Sequence, residues 1–121
     1  MPIPVTIADD SLMSRKAVRR ALPPEWDVDI TEACNGKEAL LAVESGKAEV
    51  LFLDLTMPEL DGIGVLEAIK AEGIDCFVIV ISADIQPEMK KRVMELGALA
   101  FIHKPVNEEK LHSILKQYGL I

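Results

Sequence analysis

The chain has 121 residues, half of them apolar, and a formal net charge of −7. That length suits one hydrophobic core and is short for two. The acidic balance argues against a general affinity for nucleic acid or anionic membranes, and the longest apolar run, CFVIVI at 76–81, is far short of the ~20 residues a spanning helix needs.

The opening MPIPVTIADD has no basic segment followed by an apolar one and no cleavage signal, so a soluble cytoplasmic protein is expected. A β-branched run at 3–8 predicts the first strand, and the helix after it is stopped by Pro23-Pro24. A second strand is predicted at 28–31. Its helix starts near Asn35-Gly36 and ends near Ser45-Gly46. The third strand, VLFL at 50–53, precedes a helix that opens after Asp61-Gly62 and closes near Gly73. A fourth strand at 76–81 leads to a helix ending near Gly97, and a fifth at 99–102 to a helix capped by Asn107. Cys34 and Cys76 are expected to be free thiols, since a chain able to build a core has no need of one bridge.

Five alternations of strand and helix imply a parallel sheet, because each crossover returns the chain to the same edge. The third and fourth strands are continuously apolar, as burial on both faces demands. The expected fold is therefore α/β, a single-domain three-layer αβα sandwich of five βα units. Such sheets commonly take the order 2-1-3-4-5, with ligands at the carboxyl edge where strand order reverses.

That edge is where the polar residues fall. Asp9 and Asp10 follow the first strand, Asp54 the third, Ser82 the fourth and Lys104 the fifth. Singly, each residue is an ordinary cap or loop residue; their convergence is what points to chemistry. Carboxylates ~5 Å apart repel by on the order of 3 kcal/mol per pair at an effective dielectric of about 20. A hard divalent ion such as Mg²⁺, which prefers oxygen ligands, would relieve this. Neutralising Asp9 or Asp54 is likewise expected to stabilise the metal-free fold.

Over essentially its full length the chain resembles the receiver domain of two-component response regulators, the CheY-like family. The resemblance rests on ADDS after the first strand, NGKEAL opening the second helix, DLTMPELDG after the third strand, ISA after the fourth, and LGALAFIHKP around the fifth. It implies that Asp54 is the phosphoacceptor, taking a phosphoryl group from a sensor histidine kinase or phosphotransfer protein. Asp9, Asp10, Asp54 and the backbone carbonyl of Thr56 would hold Mg²⁺. Ser82 and Lys104 would contact the phosphoryl oxygens, and Phe101 would be the switch aromatic. The Lys104-Pro105 bond is expected to be cis on the same ground. Output would pass to a downstream effector through the face made by helix 4, strand 5 and helix 5. Thr56 and Asp84 occupy positions that tune dephosphorylation in the family.

Other readings are weaker. A phosphohydrolase of the haloacid dehalogenase type also uses a strand-end Asp nucleophile, but places a second Asp two residues on, where this chain has Thr56. A receiver-fold binding module without phosphorylation would leave the polar set idle. Flavin binding is disfavoured by the acidic loop after the first strand. The basic run SRKAVRR at 14–20 reads as a solvated helix face rather than a nucleic-acid site. In receivers this helix commonly belongs to the kinase-docking surface. His103 shares a strand face with Phe101, and with His112 makes too few ligands for structural zinc. With no effector segment visible after the fifth helix, output by contact with a separate protein is expected.

Overall fold

The computed structural model describes residues 2–84 and 86–121. Five strands alternate with five helices: β1 (Ile3–Ala8), α1 (Leu12–Ala21), β2 (Val28–Ala33), α2 (Gly36–Glu44), β3 (Val50–Leu53), α3 (Gly62–Glu72), β4 (Phe77–Ser82), α4 (Pro87–Glu95), β5 (Ala100–His103) and α5 (Glu108–Gln117). All strand pairs are parallel and the order is β2-β1-β3-β4-β5. The expected fold and strand order are those observed.

The punctuation acts where local chemistry places it. Asn35, Asp61 and Asn107 each accept a hydrogen bond from the backbone N–H three residues on, capping α2, α3 and α5. Gly73 ends α3 in the left-handed conformation, with φ of 65°. Strands β2, β4 and β5 run one or two residues further than expected from composition. The reason is pairing: Glu32 and Ala33 find partners in Ile7 and Ala8, and His103 finds one in Ser82, although none belongs to a β-branched run.

The sheet separates two apolar layers. On one side Leu51, Leu53, Val78 and Val80 pack against Ala39 and Val43 of α2, Val65, Leu66 and Ile69 of α3, and Val93 of α4. On the other, Val5, Ile7, Phe52, Ile79 and Ile81 meet Val18 and Ala21 of α1 and Leu111 and Leu115 of α5. Burial on both faces leaves little room for polar groups on the central strands: Thr6 of β1 is buried and donates its hydroxyl to the Lys47 carbonyl at 2.8 Å, and Asp9, Asp54 and Ser82 fall at the strand ends. No helix among the described residues is long and apolar enough to cross a membrane.

Candidate phosphoacceptor site

The carboxyl edge is held in register by ladder hydrogen bonds that continue just past the strands. Asp9 N–H donates to the Ala33 carbonyl at 3.0 Å, Asp54 N–H to the Ala8 carbonyl at 2.9 Å, and Lys104 N–H to the Ser82 carbonyl at 2.8 Å. The backbones of Asp9, Asp54 and Lys104 are therefore each tethered to the strand next door. Gly62 gives the segment after β3 a second support: its N–H donates to the Leu55 carbonyl at 3.0 Å, and a Cβ at this position would lie 2.6 Å from the Asp54 carbonyl oxygen. Only glycine lets α3 start that close.

Asp9, Asp10 and Asp54 each bring a carboxylate oxygen to within 4.8 Å of the others. Asp9 and Asp54 are buried, at 3% and 6% exposure, whereas Asp10 is exposed. Lys104 faces the cluster, with Nζ 2.9 Å from Asp9 Oδ2 and 3.4 Å from Asp54 Oδ1. The Ser14 hydroxyl lies 3.4 Å from the same ammonium. Asp9 is the better-committed acid, because its Oδ1 also accepts the Ser11 N–H at 2.9 Å.

Charge is left over. Burial and the neighbouring Asp9 charge raise the Asp54 pKa against the weaker pull of Lys104. Burial alone would lower Lys104, but its hydrogen bond to Asp9 and the charges of Asp54 and Asp9 outweigh that and raise it. One ammonium thus faces three acids. An all-oxygen set of this size fits a hard divalent cation, so the residues present match the Mg²⁺ that the fold family implies.

Ser82 ends β4, 2% exposed, with Oγ accepting the Asp84 N–H at 3.1 Å. Asp84 in turn accepts the Gln86 N–H at 2.9 Å, which shapes the loop after β4. Thr56 is exposed in the loop after β3, where Glu59 adopts a φ of 67°. Phe101 is half-buried against the α2/α3/α4 layer. It lines a cavity of about 320 Å³ with Asp84, Gln86, Pro87, Lys90 and His103, as the shared strand face of residues 101 and 103 predicts. The Lys104-Pro105 peptide is cis.

The basic run of α1, expected as a solvated face, departs from that at one residue. Arg15 is turned inward: Nη1 donates to the Asp9 carbonyl at 2.7 Å and Nε to Glu32 Oε1 at 2.8 Å. Arg19 holds the other Glu32 oxygen at 3.2 Å, while Lys16 and Arg20 are exposed. The only trace in the sequence is that Arg15 stands one residue after Ser14, on the helix turn nearest the acids.

A family model for the response regulator receiver domain matches residues 5–116. The chain belongs to that family. Among curated relatives, it is 39% identical over 114 residues to protein-glutamate methylesterase/protein-glutamine glutaminase 3 of Geobacter sulfurreducens, covering 90% of this chain and 30% of that protein. The chain spans 28–30% of the length of the methylesterase relatives it matches. Among solved receivers, the CheY of the CheX-CheY-BeF3-Mg complex from Borrelia burgdorferi superposes with a TM-score of 0.88 at 29% identity, covering 98% of this chain and 90% of that one. The signal receiver domain of the response regulator NarL from Mycobacterium tuberculosis gives 0.87 at 27% identity, covering 98% and 97%.

Proposed function

We propose that the domain is a phosphorylation-driven switch in which Asp54 takes a phosphoryl group from a phosphorylated histidine of a sensor kinase or phosphotransfer protein. The observation that carries this is the setting of Asp54: a buried carboxylate beside two further acids and within 3.4 Å of an ammonium. As an Asp54 oxygen attacks the phosphorus, the donor N–P bond breaks and an acyl phosphate forms. Asp9, Asp10, Asp54 and the Thr56 carbonyl are the groups assigned to hold Mg²⁺. Bound there, the ion supplies charge neutralisation to the phosphoryl oxygens.

The chain's own residues do the rest. Lys104 is 2.9 Å from Asp9, so a short shift carries its ammonium to a phosphoryl oxygen on Asp54. The Ser82 oxygen already accepts the Asp84 N–H, which leaves the hydroxyl proton free to be donated to another. Movement of Ser82 toward the phosphoryl group opens space for Phe101 to turn inward, reshaping the face of α4, β5 and α5 for an effector protein. The enclosing cap of a haloacid dehalogenase phosphohydrolase has no counterpart among the described elements, and Thr56 cannot act as its acid/base.

The deciding experiment is incubation with Mg²⁺ and acetyl phosphate followed by intact-mass measurement. Wild type should gain one phosphoryl group and Asp54→Asn none. Equal uptake by both proteins, or rapid turnover of unrelated phosphoesters, would overturn the reading.

A further inference from the structure

Arg15 sits in the basic run of α1, yet its side chain is only 14% exposed. Its guanidinium joins two elements, donating to the Asp9 carbonyl at 2.7 Å and to Glu32 of β2 at 2.8 Å. Glu32 lies opposite Ile7 in the β1–β2 ladder, and the next residue, Ala33, accepts the Asp9 N–H. Asp9 is therefore gripped on both sides, by the β2 backbone at its N–H and by Arg15 at its carbonyl. That carbonyl belongs to the planar peptide that joins Asp9 to Asp10, so its orientation fixes the direction in which Asp10 leaves. Asp10 is exposed, and its placement beside Asp9 and Asp54 depends on the backbone that carries it.

We propose that Arg15 is a positioning residue: braced on Glu32, it sets the Asp9-Asp10 peptide and with it the carboxylate geometry that receives the divalent cation. This rests on the cation-binding reading given above. The planar fork of arginine is what allows one side chain to serve both acceptors, and a lysine point charge would lose one of them. Electrostatics alone has the opposite sign, because deleting a positive charge near the acids would tighten cation binding. A loosened peptide weakens it.

The test is the Mg²⁺ dissociation constant, by calorimetry, for wild type, Arg15→Met, Arg15→Lys and Arg19→Met, with amide spectra confirming the fold of each. Both Arg15 variants should bind about tenfold more weakly, the usual scale for losing a group that orients a ligand. Arg19→Met breaks the other arm on Glu32 without touching Asp9, and should bind as wild type does. In the Arg15 variants the Ser11 amide, which donates to Asp9 Oδ1, should also shift in the metal-free spectrum. Where Arg15→Met does not fold, Arg15→Lys carries the comparison. Unchanged or tighter binding in the Arg15 variants overturns the proposal while leaving the cation site intact, and so does equal weakening in Arg19→Met. No Mg²⁺ binding by wild type overturns both.

Discussion

The two buried acids of the site are not equivalent, and the difference has a measurable sign. Asp54 is the uncompensated one: burial and the Asp9 charge raise its pKa, and its nearest cation is 3.4 Å away. An acid whose pKa is raised by folding binds its proton more tightly folded than unfolded, so ionising it costs stability as pH climbs from the ordinary carboxylate range through the raised value. Asp54→Asn removes that cost. In metal-free buffer it should be more stable than wild type at pH 7, by roughly 1 to 3 kcal/mol, and melt at a higher temperature. The gain should vanish below pH ~4, where an ordinary carboxyl is also neutral. Asp9→Asn should instead lower stability at pH 7, because there the relief of repulsion is opposed by the loss of an ion pair. It forfeits the 2.9 Å pair with Lys104, and a charge-assisted bond of this kind contributes about 1.5 to 3 kcal/mol. Thermal melts of Asp54→Asn across this pH range, and of Asp9→Asn at pH 7, check the two signs. Composition places Asp9 and Asp54 at one edge, but which of them Lys104 chooses depends on side-chain rotamers that no spacing rule encodes.

At the scale of elements, the site depends on how the helix starts are wedged against the loops. Gly36 opens α2, and a Cβ there would overlap the Leu60 carbonyl oxygen and come within 2.7 Å of the Leu60 Cβ. Intrinsic helix propensity alone makes Gly→Ala favourable by about 1 kcal/mol. The contact makes it unfavourable, because Leu60 backbone cannot yield without moving the β3–α3 loop that carries Asp54 and Thr56. Gly36→Ala should therefore destabilise the fold by about 1 to 3 kcal/mol, the range for an overpacked core, in a urea unfolding experiment. Strand and helix order, caps at Asn35, Asp61 and Asn107, and the carboxyl-edge location of the polar residues are all legible in the sequence, since each follows from local periodicity or a single side chain. The Gly36–Leu60 approach and the inward turn of Arg15 are not, because both are long-range meetings between a helix start and a distant loop or strand. A hydrophilic run reads the same whether its arginine faces water or a neighbouring strand's carboxylate.

At the scale of the whole molecule, the proposed switch has to carry an event at Asp54 to a surface some distance from it, and the sheet offers a connection. Phe101 pairs in register with Val80, and two residues on His103 pairs with Ser82, so the Ser82 hydroxyl at the carboxyl edge and the aromatic beside α4 ride on the same two strands. Ser82 is buried, whereas Phe101 is half-buried beside a cavity of about 320 Å³. On the proposed function, a shift of Ser82 toward Asp54 has its outlet at Phe101. The chain contains three phenylalanines, which makes the test internally controlled. Phe52 is sealed in the layer with α1 and α5, and Phe77 is exposed at the start of β4, the end of the sheet opposite the acids. With fluorinated phenylalanine incorporated throughout, Mg²⁺ and beryllofluoride should move the Phe101 resonance and leave that of Phe77 in place. The Phe101 change should disappear in Ser82→Ala, which keeps Asp54 but lacks the hydroxyl that moves. A Phe101 resonance that never responds, or one that responds equally without the hydroxyl, would show that the signal leaves Asp54 by some route other than β4 and β5.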